Sequence, residues 1–180
     1  LAESRRGDQL MLGLARLRSL APGLAATGLS ATVEDPQALA RFMGGARVIE
    51  ADPGPIPDIA MLPTRQPPPW AGGGGRYAVR DVLEAVAQAR TTIIFLNTRA
   101  QAELFFQAIW AANDENLPIG LHHGALAREA RQRVEAAMAN GELRAVVATA
   151  SLDLGIDWGD VDLVIQVGAP RNIKRLVQRI

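Results

Sequence analysis

The chain has 180 residues, a formal net charge of zero and no cysteine. This length allows one large domain or two small ones, and the absence of cysteine excludes disulfides, thiol catalysis and zinc–cysteine sites. The two histidines, His122 and His123, are too few for a histidine-rich metal centre, so we predict no metal bound by protein ligands. No apolar run reaches the about 18 residues of a membrane span, and a cysteine-free chain fits a reducing compartment. We therefore expect a cytoplasmic protein without membrane contact.

The first 52 residues are predicted to form two helices and two short strands. Apolar residues recur at helical spacing over 7–20. Asp35 followed by proline is typical of a helix start, because aspartate caps the helix and proline fits its first position; this predicts a helix over 36–43. Short apolar runs at 24–29 and 46–51 predict buried strands.

Residues 53–76 are rich in proline and end in four consecutive glycines, Gly72–Gly75. Such a composition forms neither a helix nor a central strand. We interpret this segment as an interdomain linker with a flexible glycine tip. The sequence gives no reason for the length of the glycine run.

From residue 77 onward, helical and strand patterns alternate. The predicted strands cover 92–96, 118–122, 144–148 and 162–167, and the predicted helices cover 78–90, 99–112 and 127–140, with another from about Asn172. This alternation predicts an α/β fold with a parallel sheet and helices on both faces. Ligands of such sheets bind beyond the carboxyl ends of the strands, so polar residues that follow a strand are candidates for a site.

Polar residues follow three of these strands. Asn97-Thr98-Arg99 ends the first and can cap the next helix, whose N-terminal amides attract an anion. His122-His123-Gly124 ends the second, and Thr149 follows the third in a loop that also holds Asp153 and Asp157. Hydroxyls there can donate hydrogen bonds to phosphate, and carboxylates can accept them from ribose. Taken singly, Asn97-Thr98-Arg99 has a structural alternative as an ordinary strand-to-helix junction, and the two histidines have one as packing or capping residues.

In order and spacing, these segments resemble the motifs of superfamily 2 DExH helicases. The segments are Ser30-Ala31-Thr32 (motif III), Ile94 to Arg99 (motif IV), His122-His123-Gly124 (motif IVa), Thr149 to Asp157 (motif V) and Gln178-Arg179-Ile180 (the start of motif VI). Further segments are similar to the large helicase-related (Lhr) family, and specifically to its ligase-associated branch: Pro69 to Gly72, Asn116 to Gly124 and Leu152 to Val161. The resemblance extends over essentially the whole chain.

The resemblance implies one partial and one nearly complete RecA-like domain. Residues 1–52 correspond to the C-terminal part of the first, helicase ATP-binding domain. Residues 77–180 correspond to the second, helicase C-terminal domain, truncated within motif VI. We expect the chain to be a fragment whose phosphate loop and DExH box precede Leu1.

The resemblance also assigns roles to individual residues. Gly155 and Asp157 would bind ATP, the aspartate at the ribose. Gln178 and Arg179 would begin the catalytic helix of motif VI. The DNA backbone would be bound by Thr98, Arg99, His123, Gly124 and Thr149. Coupling between the nucleotide and the DNA is assigned to Ser30, Ala31 and Thr32.

The implied parent protein is an ATP-dependent helicase that translocates on single-stranded DNA in DNA repair, uses ATP with magnesium, and acts with a DNA ligase and a nuclease. The chain itself contains no Gly-x-x-x-x-Gly-Lys-Ser/Thr phosphate loop, so we expect it not to hydrolyse ATP alone. A noncatalytic nucleic-acid-binding RecA-like module remains the alternative. A dinucleotide-binding oxidoreductase is excluded, because Gly72–Gly75 follows prolines rather than a strand.

Overall fold

The computed structural model describes residues 4–30, 33, 35–50, 56–152, 161–170 and 176, with only the backbone at Ser151. The chain divides into two compact units, Leu1–Ile56 and Pro57–Ile180, called the first and second units below. No helix in the described ranges has the length and apolarity needed to cross a membrane.

The first unit contains two helices, α1 (Arg5–Leu20) and α2 (Pro36–Phe42). Both begin where a side chain satisfies an amide that the helix leaves unpaired. The Ser4 hydroxyl accepts a hydrogen bond from the Gly7 amide at 3.3 Å, and the Asp35 carboxylate accepts one from the Ala38 amide at 2.8 Å. The predicted helices are therefore present, with the predicted aspartate cap on α2.

The two strands predicted for the first unit are wrong. Described residues 24–29 and 46–50 form no strand, and Leu29 and Ile49 are exposed. An apolar run becomes a strand only when a neighbouring strand accepts and donates its backbone hydrogen bonds, and the described part of this unit offers no such neighbour. Local apolarity therefore predicted burial that described residues 24–29 and 46–50 do not show.

The second unit is an α/β sheet domain. After a 3₁₀ turn at Arg76–Ala78 its elements are α3 (Val79–Gln88), β1 (Thr92–Phe95), α4 (Arg99–Ala111), β2 (Ile119–His122), α5 (Arg128–Ala139), β3 (Ala145–Ala148), a 3₁₀ turn at Ala150–Leu152 and β4 (Leu163–Gln166). Each predicted strand and helix between 77 and 167 is present within a few residues. The helix predicted from Asn172 lies outside the described residues, apart from Leu176, which is helical.

The four strands pair in the order β2-β3-β1-β4, and every pair is parallel. Successive side chains of a strand point to opposite faces, so β1 contributes to two cores. Ile94 packs with α3 and α4, on the face that also buries Val86 and Phe105. Ile93 packs on the other face with Met138 of α5. The prediction of a parallel sheet with helices on both faces is confirmed.

The second unit begins within the proline-rich segment. Residues 57–76, which the sequence predicts to be linker, belong to the same compact unit as the sheet. Arg65 attaches this segment to α3: its amide donates to the Asp81 carboxylate at 3.4 Å, its Nε lies 3.6 Å from the same carboxylate, and its guanidinium donates to Glu84. Hydrogen bonding to Glu84 raises the pKa of Arg65. At the end of the segment, Gly75 has a φ of +79°.

Packing gives a reason for one of the four consecutive glycines, Gly75. A β-carbon at this position would overlap the Cγ1 methyl of Val167, just after β4, and would lie 3.5 Å from the Phe105 ring on α4. The positive φ is also a conformation that side-chain-bearing residues rarely adopt. Gly75 is therefore required for the backbone to pack closely against the end of β4.

A carboxylate attaches the start of β4 to the rest of the sheet. Asp162 accepts hydrogen bonds from the amides of Thr91 at 2.8 Å and Arg90 at 3.0 Å. The bonds from Thr91 and Arg90, in that order, stabilise the ionised form and lower the pKa of Asp162.

Candidate nucleic-acid interface

The candidate site lies at the edge of the sheet where the four parallel strands end, called here the carboxyl edge. The register pairs Phe95 with both Ala148 and Gln166, and His122 with Ala148, so all four strands end at the same level. The residues that follow the strands must then be neighbours. The Thr149 amide, for example, donates to the carbonyl of His122 at 3.3 Å.

Thr98 and Arg99 occupy the start of α4 at this edge. The Thr98 hydroxyl accepts a hydrogen bond from the Gln101 amide at 3.2 Å, so it caps the helix. A hydroxyl that accepts in this way can still donate its own proton to an anion. Arg99 is the first helical residue, and its side chain is 64% exposed. The helix terminus therefore combines backbone amides, a hydroxyl and an exposed positive charge, a set that suits phosphate.

The two histidines after β2 have different environments although both are buried. His122 is 2% exposed, and its Nε2 lies 2.9 Å from the Glu135 carboxylate of α5. His123 is 3% exposed, and its Nε2 lies 3.2 Å from Glu103 Oε1 on α4. Although Glu103 is this close, neither ring nitrogen of His123 makes a hydrogen bond. His122 therefore joins β2 to α5, whereas His123 retains unused hydrogen-bonding capacity at the carboxyl edge.

Gly124 and Asn97 also lie at the carboxyl edge. A β-carbon on Gly124 would meet no atom within 4 Å, so packing within the described residues does not require glycine there. The Asn97 amide group donates to the carbonyl of Ala169 at 2.8 Å. Asn97 therefore joins the loop after β1 to the loop after β4, and Thr98 rather than Asn97 caps α4.

The remaining predicted site residues have no described geometry at this edge. Ser30 is an exposed residue of the first unit. The others lie outside the described residues: Ala31, Thr32, Gly155, Asp157, Gln178 and Arg179. In the parts of the chain that are described, no group of three or more His, Asp and Glu side chains could hold a metal ion.

Glu103 and Glu135 are two contributors that sequence reasoning missed. Each pairs with a histidine at the end of β2 through contacts that depend on how α4 and α5 pack. The spacing of Arg99 and Glu103, four residues apart on a helix, was the one signal available in the sequence. A cleft of about 360 Å³ lies elsewhere, between α3 and the C-terminal end of α4, towards the opposite edge of the sheet.

A family model described as the helicase conserved C-terminal domain matches residues 77–180. The chain belongs to this family. Those residues comprise the whole described sheet and its helices, so the carboxyl edge lies inside the matched region.

Relatives along the full length of the chain are Lhr helicases. An ATP-dependent helicase Lhr-Core protein of Thermococcus barophilus is 35% identical over 193 residues, covering 100% of this chain and 22% of the relative. An Lhr helicase and probable uracil glycosylase of Mycolicibacterium smegmatis is 33% identical over 225 residues, and the match covers 100% of this chain and 14% of the relative. The resemblance to Lhr helicases of superfamily 2 is confirmed, and the chain spans about a fifth of the Thermococcus relative.

Solved structures agree with this assignment. The Mycobacterium smegmatis helicase Lhr bound to ssDNA and AMP-PNP has a TM-score of 0.75 and 34% identity, covering 99% of this chain and 25% of that one. The helicase MrfA bound to DNA and AMPPNP has a TM-score of 0.73 over 96% of this chain, at 19% identity. The second likeness, at this low identity, supports the RecA-like fold alone.

Proposed function

We propose that the chain is part of an ATP-dependent helicase that translocates on single-stranded DNA in DNA repair, and that its carboxyl edge binds the DNA backbone. The observation that carries this proposal is the gathering of Thr98, Arg99, His123 and Thr149 at one edge of a parallel sheet. Hydroxyls, a helix N-terminus and an arginine contact phosphates without reading bases. The similar Lhr helicase bound to ssDNA and AMP-PNP supports the choice of ligand.

The start of α4 is the centre of the proposed contact. Its first amides point outward and carry the positive end of the helix dipole. Thr98 can donate to a phosphate oxygen while it accepts from the Gln101 amide, and Arg99 can form a charge-assisted pair with the same group. Thr149, at the end of β3, would bind the next phosphate. Gly124 would allow the strand to approach the backbone closely.

The nucleotide roles extend the proposal to residues outside the described ranges. Gly155 and Asp157 would bind ATP, and Gln178 and Arg179 would begin the catalytic helix. Coupling would run through motif III, Ser30-Ala31-Thr32. The longer protein would use ATP with magnesium, and phosphoryl transfer would require a phosphate loop that is absent from this sequence.

The remaining expectations also belong to this proposal. Residues 1–52 would be the end of a first RecA-like domain and 77–180 a second one. A DNA ligase and a nuclease would be repair partners, as the ligase-associated branch implies, and the location would be cytoplasmic.

Binding of a fluorescein-labelled oligothymidylate to the chain tests the interface. Thr149→Ala should weaken binding by about 10-fold or more, because a hydrogen bond to a charged group contributes about 1.5–3 kcal/mol. Thr149→Ser, which keeps the hydroxyl, should retain most of the affinity. Arg133→Ala removes an exposed charge from the middle of α5 and serves as the control. Equal affinity for Thr149→Ala and the original chain would place DNA elsewhere.

The alternative is a noncatalytic nucleic-acid-binding module. It makes the same prediction for DNA but a different one for the rest of the gene. A Gly-x-x-x-x-Gly-Lys-Ser/Thr segment encoded upstream of Leu1 favours the ATPase, and the lack of one favours the binding module.

A further inference from the structure

Glu103 lies between two residues of the proposed interface. Its Oε1 is 3.2 Å from Nε2 of His123 and 3.9 Å from Nε of Arg99. Glu103 is on the second turn of α4 and is 46% exposed, whereas His123 follows β2 and is 3% exposed. One carboxylate oxygen thus faces groups from two different elements of the carboxyl edge.

The His123 ring has an incomplete environment. Buried polar atoms nearly always have a hydrogen-bond partner, so an exception needs a structural or functional reason. Both ring nitrogens of His123 are buried without a hydrogen bond. Among the described charged groups, Glu103 lies within ion-pair distance of this ring. A small rotation of the carboxylate would align it with Nε2.

Arg99, the other neighbour of Glu103, is exposed where His123 is buried. Its guanidinium is largely exposed and lies at the outer limit of an ion pair with Glu103. A free arginine side chain loses much rotamer freedom when it binds a phosphate. A carboxylate one turn along the helix reduces that loss by holding the side chain near the helix terminus before the ligand arrives.

We propose that Glu103 is a positioning residue of the nucleic-acid interface, holding Arg99 and His123 as one unit for a backbone phosphate. The inference rests on the proposed DNA-binding function and adds a residue outside the motif segments identified in the sequence. When phosphate engages Arg99, the Glu103 carboxylate turns to His123 and completes the hydrogen bond of the buried ring. The carboxylate also repels phosphate, so the two effects of Glu103 on affinity have opposite signs.

Because positioning raises the affinity for DNA and repulsion lowers it, the sign of the change in Glu103 variants tests the inference. The affinity for an oligothymidylate is measured by fluorescence anisotropy. Glu103→Ala removes both the charge and the acceptor, and affinity should fall roughly two- to fivefold, the range of an exposed ion pair. Glu103→Gln keeps an acceptor oxygen, and its affinity should lie between that of Glu103→Ala and that of the original chain. Glu115→Ala removes the same charge beyond the other end of α4 and should have no effect. In an Arg99→Ala background, Glu103→Ala should have a smaller effect.

Four results would overturn the inference. Higher affinity in both Glu103 variants would mean that the carboxylate only repels DNA. Unchanged affinity with a lower melting temperature would mean that Glu103 only stabilises α4. Unchanged affinity in Arg99→Ala would overturn the interface as well, whereas a loss in Arg99→Ala with none in Glu103→Ala would overturn only the role of Glu103.

Discussion

Replacing Gly75 by alanine should destabilise the second unit more than the same change at Gly72. Both glycines have a φ of +79°, so both alanines adopt an unfavourable left-handed conformation, at about 1–2 kcal/mol each. Their surroundings differ. A β-carbon at Gly72 meets no atom within 4 Å, whereas one at Gly75 overlaps Cγ1 of Val167 and approaches Phe105.

The excess cost at Gly75 follows from that overlap. Val167 is β-branched and has few alternative rotamers, so relief requires a shift of the loop or of the residues after β4. Extra atoms forced into packed structure cost about 1–3 kcal/mol. We therefore expect Gly75→Ala to lower the unfolding free energy of the second unit by about 2–5 kcal/mol in total, and Gly72→Ala by the backbone cost alone.

Native-state hydrogen exchange of the buried β1 amides, at Ile93 and Ile94, measures this difference within the second unit alone. Each difference of about 1.4 kcal/mol accelerates globally limited exchange about tenfold. Gly75→Ala should therefore exchange roughly 5- to 150-fold faster than Gly72→Ala. Equal rates in the two variants would refute the close packing of the glycine segment against the end of β4.

Three further predictions concern other parts of the molecule. The pKa of Asp162 is lowered in the folded state, so its ionised form stabilises the fold above the unfolded-state pKa of about 4, and this contribution is lost as the pH falls through the lower folded-state pKa. The urea midpoint of Asp162→Asn should therefore lack this acid dependence. An acid dependence equal to that of the original chain would contradict the prediction. Arg65→Ala should make residues 57–66 more susceptible to proteolysis. Arg80→Ala, which changes an arginine of α3 itself, should not. Equal susceptibility of the two variants would argue against the contact of Arg65 with α3. Amides of Ala25–Leu29 should exchange much faster than those of Ala145–Ala148, and equal protection would mean that the two units unfold as one.

Much of the second unit could be predicted from local patterns. The apolar runs that became β1 and β3 are buried on both faces of the sheet, and this environment produces continuous apolar segments in sequence. The Thr98 cap was also readable, because an N-cap depends on residues only a few positions apart. In the first unit the same reasoning failed at 24–29, since a strand needs a partner that local sequence cannot provide.

The candidate site was predictable in kind but not in geometry. Parallel strands must end at one edge, so the sequence alone indicated that Thr98, His123 and Thr149 could be close. Which strands are neighbours, with β3 between β2 and β1, is a property of the whole sheet. The contact between His123 and Glu103 depends on how α4 packs beside the end of β2, and neither residue is near the other in sequence.

The sequence by itself determined the elements of residues 77–167 and the helicase family, because helix, strand and cap signals are short-range and the motifs are read in order. Tertiary structure alone decided that the proline-rich segment attaches to α3 through Arg65 and that Gly75 must be glycine. Both depend on atoms brought together from distant parts of the chain, where steric overlap and ion pairing act over a few ångströms regardless of separation in sequence.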